Sequence, residues 1–307
     1  MNAETAILHS DLNCFYASVE TMLDPSLRGK AVAVCGCTED RHGIVLAKSE
    51  LAKKAGVKTG MVNWEAKQCC RDLIIVPPQY DQYLKYSKLT QAIYQRYTDM
   101  VEPFGMDECW LDVAGSRYVC GDARTIAENI RRSVKEELGL TVSIGVSFNK
   151  VFAKLGSDLK KPDAITEISP DSYKEKVWPL PCSDMIYCGP ATTKKLAQYG
   201  VHTIGEVAGC DPLFLKGLLG VNGLALWTYA NGRDHSRVMH ILLCAGWLRY
   251  GRLPHCGGQA PAHHRSEIRA GCAGGSHRES ADDAVCPRCA ANAKRPISMR
   301  KPSKPGL

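Results

Sequence analysis

Three carboxylates drawn from two distant stretches of the chain carry its clearest chemical signal. Asp11 ends the apolar run Ala6-Ile7-Leu8 and opens Asp11-Leu12-Asn13-Cys14-Phe15-Tyr16-Ala17. Asp107 and Glu108 stand together inside Glu102-Pro103-Phe104-Gly105-Met106-Asp107-Glu108-Cys109-Trp110-Leu111-Asp112. Hard oxygen donors in this number suit two divalent cations held against a triphosphate, with one carboxylate shared and the others fixing each ion separately. An acidic pair alone is common on solvated surfaces. The reading therefore depends on the elements that bring position 11 to positions 107 and 108.

Those elements are legible in the residue pattern. Residues 6–8 read as a buried strand leading into a helix over 14–22. Residues 100–104 and 109–113 read as a hairpin with Asp107 and Glu108 between its strands, and Asp112 falls on the second strand as a structural residue. If these strands are neighbours in one sheet, all three acids converge. The intervening stretch, 23–79, reads as a compact insert. It has strands at 31–35 and 44–47, a helix at 50–55 and a strand near 74–76, and Pro77-Pro78 closes it. Residues 83–97 form an amphipathic helix with Leu84, Leu89, Ile93 and Tyr97 at helical spacing. A second helix over 125–138 ends at Gly139, and 140–146 is a strand. Helix pairs flanking an antiparallel sheet make this an α+β fold of ferredoxin-like type. Residues 171–238 are helical.

Composition sets outer bounds. A length of 307 residues, 45% apolar, accommodates two or three domains. No apolar run approaches the ~18 residues of a membrane span, and no export signal opens the chain. Fifteen cysteines, among them Cys14, Cys109 and the adjacent Cys69-Cys70, fit reduced thiols of a cytoplasmic protein. The net charge of +7 sits wholly in residues 241–307, which hold eleven Lys or Arg against four Asp or Glu. Residues 1–240 carry 28 of each sign and balance. Any nucleic-acid surface must therefore be a local patch rather than a global field.

With these residues in place, the chain resembles the Y-family, translesion-type DNA polymerases, close to the bacterial DNA polymerase IV group. The resemblance covers roughly 5–240. It rests on residues 11–20, Asp24-Pro25-Ser26-Leu27-Arg28-Gly29-Lys30, Gly56-Val57-Lys58-Thr59-Gly60-Met61, residues 106–112 and Ser143-Ile144-Gly145-Val146-Ser147-Phe148-Asn149-Lys150-Val151-Phe152-Ala153-Lys154-Leu155, in order and at family spacing. It implies a palm from 1–22 and 80–170, small fingers from 23–79, and a thumb with a helix-hairpin-helix from 171–238. It implies catalysis at Glu108, Asp107 and Asp11, with two Mg²⁺ ions on these carboxylates and the backbone carbonyl of Leu12. Tyr16 becomes the steric gate against ribonucleotides, with Phe15 beside it as a core aromatic at the nucleotide site. Lys161 becomes the triphosphate contact, and Gly189, Thr192, Thr193, Lys194 and Lys195 the DNA-phosphate hairpin. The partners implied are primer–template DNA and deoxynucleoside triphosphates, bound by a monomer away from membranes.

Departures from the family pattern are specific. Where relatives carry a phosphate-contacting Tyr and Arg, this chain has Ser49 and Ala52, which leaves Lys48, Lys53 or Lys54 to supply charge. The hairpin glycine two residues before Gly189 is Tyr187. From about Ile241 the composition switches abruptly, in the manner of out-of-frame translation, and residues 239–307 read as an unrelated, disordered tail in place of the little finger. Weak DNA affinity is the expected consequence. The Cys286-Pro287-Arg288-Cys289 motif with His255, His263, His264 and His277 is a weak zinc signal. Lys294-Arg295 and Arg300-Lys301 would bind phosphate non-specifically. The absence of a clamp-binding peptide argues against a sliding-clamp contact. Other readings are a non-catalytic DNA-binding remnant of such a polymerase and a palm-type nucleotidyl cyclase.

Overall fold

The computed structural model describes residues 6–36 and 43–240; the tail beyond 240, with its Cys-x-x-Cys pair and histidines, lies outside the described residues. The strands are β1 (Ile7–Leu12), β2 (Val32–Cys35), β3 (Val45–Lys48), β4 (Ile74–Val76), β5 (Val101–Phe104), β6 (Glu108–Asp112), β7 (Val142–Ser147) and β8 (Ile165–Ile168). The helices are α1 (Phe15–Leu23), α2 (Glu50–Lys54), α3 (Asn63–Cys69), α4 (Tyr80–Tyr94), α5 (Arg117–Cys120), α6 (Ala123–Leu138), α7 (Lys150–Leu159), α8 (Tyr173–Val177), α9 (Pro190–Ala197), α10 (Ile204–Gly209), α11 (Pro212–Leu219) and α12 (Val221–Ala230).

Five strands in the order β5-β6-β1-β7-β8 form the main sheet. Every residue of β1 is buried, as a central strand covered on both faces must be. It pairs antiparallel with β6 and with β7. Strand β8 runs parallel to β7, which demands a crossover, and α7 supplies it. That helix lies unusually close: a Cβ on Gly145 would stand 1.8 Å from the Ala153 carbonyl oxygen. Only glycine admits the approach.

Helix α6 shows why these residues are helical. Asp122 caps its first turn through the Thr125 N–H at 2.7 Å. Ile126, Ala127, Ile130 and Val134 form one buried stripe, and Gly139 at φ 65° ends it. Helix α4 departs from expectation in part. Ile93 is buried and Tyr97 packs against the core as expected, but Leu84 and Leu89 are exposed, while Tyr83, Ser87, Thr90 and Tyr94 are buried. Two of these hydroxyls have interior partners: Tyr83 donates to Glu20, and Tyr94 to Ser10 at 2.9 Å. Strand β6 starts at Glu108, so this residue and Asp112 share one strand. Asp112 accepts the Ala114 N–H at 3.0 Å.

A second sheet, β3-β2-β4, carries a shallow core of small residues: Ala33, Cys35, Val45, Ala52, Val57, Ala66 and Leu73. Helices α8 to α12 gather around Val177, Leu196, Ile204, Val207, Leu215 and Leu226, joined by Phe152 and Leu155 of α7. Among the described residues no cysteine forms a disulfide, and no helix is long and apolar enough to cross a membrane.

Candidate active site

Antiparallel pairing sets Asp11 directly opposite Glu108, and His9 opposite Trp110. Residues two apart on a strand share a face, so these four side chains project to the same side of the sheet. Gly105, at φ 83°, turns the chain between β5 and β6. Asp107 follows in that turn, and its carbonyl accepts the Leu12 N–H at 3.0 Å. The strand predicted from residues 6–8 and the hairpin predicted around Asp107 and Glu108 therefore do meet.

Helix α7 covers this face and supplies cations. Lys154 Nζ lies 2.5 Å from Glu108 Oε2. Lys161, just past the helix, reaches Asp11 Oδ2 at 2.6 Å and Asp158 Oδ1 at 2.8 Å. Below them His9 is fully buried, with Nδ1 2.8 Å from Ser157 Oγ. Its Nε2 stands 3.2 Å from Glu108 Oε2, close enough for charge coupling but outside hydrogen-bond alignment. Lys154 and His9 were not assigned roles from the sequence; the spacing of Lys150 and Lys154, one helical turn apart, was the available signal for the lysine.

The electrostatics separate the three acids. Burial raises Asp11 against the opposing pull of Lys161. Burial, then the charges of Asp11 and Glu108, push Asp107 up to about 6. Burial also pulls Glu108 upward, but His9 and Lys154 outweigh it and bring it down to about 2. Burial lowers His9 against the opposing pull of Glu108. Among the described residues no cation pairs with Asp107, and no three acidic, histidine or cysteine side chains close into a metal cage. The donor set is nonetheless all oxygen and crowded enough to hold a proton on Asp107 near pH 6. That concentration of negative charge fits hard divalent cations.

The nucleotide-side residues divide. Tyr16 is half-buried on α1, its ring stacked on Tyr83 at 4.1 Å and 7°, its hydroxyl donating to Met106 Sδ at 3.5 Å. Phe15 is 3% exposed and belongs to the main core, as expected of a core aromatic beside Tyr16. Lys48 Nζ donates to Thr59 Oγ1 at 2.9 Å. Ser49 caps α2 and accepts the Val32 N–H at 3.0 Å. Ala52 is wholly buried, and its methyl offers no contact to a phosphate. The exposed cations of this helix are Lys53, paired loosely with Glu50 at 3.9 Å, and Lys54. Glu50 also accepts the Cys14 thiol, and burial followed by that contact pushes the thiol up to about 12.

At the far helical hairpin, Gly189 is the N-cap of α9 and Pro190 its first residue, a favoured start. Lys194 and Lys195 are exposed, and Thr193 bonds back to the Gly189 carbonyl at 3.2 Å. Tyr187 sits at φ 66°, a left-handed conformation that favours glycine.

Comparison with known proteins agrees with this geometry. The model of the impB/mucB/samB family matches residues 10–158. DNA polymerase IV of Acetivibrio thermocellus is 56% identical over 232 residues, covering 76% of this chain and 58% of the relative. DNA polymerase IV 1 of Bacillus subtilis is 44% identical over 232 residues, 76% of this chain and 56% of the relative. The chain therefore spans somewhat over half the length of these relatives. Among solved structures, "Crystal Structure of DinB from Sulfolobus solfataricus" matches at TM-score 0.70 and 26% identity, and "Insertion ternary complex of Dbh DNA polymerase" at 0.71 and 26%. Each match covers 76% of this chain and 69% of the other. With motifs, strand pairing and comparisons in agreement, the chain belongs to the Y-family DNA polymerases.

Proposed function

We propose that this chain is a template-directed, translesion-type DNA polymerase that adds deoxynucleotides to a primer 3′ end. The observation that carries the reading is the β1–β6 register, which sets Asp11 opposite Glu108 with Asp107 in the adjoining turn. The main sheet with α1, α4, α6 and α7 acts as the palm (1–22 and 80–170). The β3-β2-β4 segment acts as the fingers (23–79), and α8 to α12 as the thumb (171–238). Asp11, Asp107 and Glu108, with the Leu12 carbonyl, would hold two Mg²⁺ ions, which when bound lower the pKa of the primer hydroxyl and offset charge on the departing pyrophosphate.

The chain's own residues do the rest. Lys161 holds Asp11 until a triphosphate offers a more highly charged partner, and the exchange frees the Asp11 oxygen. Lys154 keeps Glu108 ionised at every pH of interest. Tyr16 closes the space beside the sugar C2′. Gly189, Thr192, Thr193, Lys194 and Lys195 grip a backbone phosphate without reading sequence. Primer extension on a primed template with Mg²⁺ tests this: the chain extends the primer, and Asp107→Ala or Glu108→Ala abolishes extension. No extension by the unaltered chain, or extension that survives these changes, refutes it.

A further inference from the structure

Glu20 is the buried carboxylate that the chemistry above leaves unused. It lies one helical turn past Tyr16 on α1 and is 4% exposed. A buried carboxylate is costly unless its oxygens are satisfied. Among the described residues it makes no ion pair; two donors from α4 and its N-cap serve instead. The Tyr83 hydroxyl donates to Oε1, and Gln79 Nε2 donates to Oε2 at 2.7 Å.

What these bonds hold is the Tyr83 ring, and that ring is the surface on which Tyr16 lies flat. Tyr80 meets both rings edge-on, at 6.2 Å from Tyr16 and 5.9 Å from Tyr83. Among the described residues the hydroxyl of Tyr16 has only the soft sulfur of Met106 as partner, which does little to fix the ring's plane. The plane is set from below.

We propose that Glu20 is a positioning residue for sugar discrimination: acting through Tyr83, it holds the Tyr16 ring at the angle that excludes a 2′-hydroxyl. The inference rests on the polymerase reading and on Tyr16 as the gate, and it adds a residue that touches neither nucleotide nor metal.

Single-nucleotide insertion opposite template dG, with dCTP and CTP compared by kcat and KM, tests it in the full chain. Tyr83→Phe keeps the ring and removes the hydroxyl; Glu20→Gln keeps the shape but sets an amide against Gln79. The preference for dCTP, as a ratio of kcat/KM, falls about tenfold in Tyr83→Phe, the equivalent of one buried hydrogen bond. It falls less in Glu20→Gln, with the change arising in the CTP parameters. Tyr16→Ala lowers it furthest. Loss of thermal stability alone would depress both nucleotides together and leave the ratio fixed, and that result overturns the inference. A fixed ratio in Tyr83→Phe and Glu20→Gln beside a collapsed one in Tyr16→Ala overturns it while sparing the gate. No dCTP insertion by the unaltered chain overturns both.

Discussion

Replacing Lys150 by methionine isolates what one buried carboxylate costs when it loses its cation. Lys150 opens α7 with its side chain 10% exposed and donates to both oxygens of Glu102, itself 7% exposed, at 2.7 and 2.8 Å. Its ammonium lies 4.4 Å from the centre of the Trp110 ring. The remaining donor to Glu102 is the Met239 N–H at 2.9 Å. Lys150→Met therefore leaves a desolvated charge with a single backbone bond, a loss of about 3–5 kcal/mol for a pair this buried. In a domain of this size each kcal/mol moves the melting temperature by about 2–4 °C, so the variant melts roughly 10 °C lower. The double change Glu102→Gln/Lys150→Met removes the stranded charge and recovers most of that loss. Scanning calorimetry on the two singles and the double measures the coupling directly. A single variant within about 2 °C of the unaltered protein, or a double no better than Lys150→Met, would refute the account of this pair.

Asp107→Asn tests the crowded acids. A folded-state pKa near 6 against about 3.9 unfolded means the native state binds the proton more tightly. The stability Asp107 contributes is complete below pH ~4 and is lost as pH rises through ~6. With chelator present, the asparagine variant is thus more stable at pH 7.5, by on the order of 1–2 kcal/mol for a partly buried group still in reach of solvent, and no more stable at pH 4; melts across that range check it. Added Mg²⁺ stabilises the unaltered protein more than the variant. Gly145→Ala drives a methyl into the Ala153 carbonyl and costs ~3 kcal/mol or more, read by urea denaturation; near-native stability would show that α7 can retreat freely. Tyr187 occupies a left-handed conformation, so Tyr187→Gly is more stable than Tyr187→Ala by about 1 kcal/mol, and the reverse order would contradict the strain.

The acidic site was legible because its parts obey short-range rules. An apolar run ending in Asp11, and a glycine turn before Asp107, announce strands whose pairing leaves few alternatives. The helix faces were harder. On α4 the leucines point outward and hydroxyl-bearing side chains inward, a reversal that only the distant partners Glu20 and Ser10 explain. Phe15 and Tyr16 differ by one position, yet one lies in the core and the other in the site; helix phase decides it, and composition does not. Ser49 and Ala52 stand where relatives carry phosphate contacts, and the local structure gives them other duties, a helix cap and an interior methyl.

Helix α7 ties these observations together. From it and the two residues after it, Lys150 reaches Glu102 on β5, Lys154 reaches Glu108 on β6, and Ser157 and Lys161 reach His9 and Asp11 on β1. Four contacts spanning 46 to 150 residues of sequence thus converge on one rigid element. A shift of that helix alters all of them together. Their energies cannot then be independent, since residues sharing a network do not add. The chemistry-free Gly145, by fixing how near α7 lies to β7, sets the reach of both lysines. A substitution there should weaken the Lys154 and Lys161 contacts in concert, whereas Lys161→Ala removes one and leaves the helix in place.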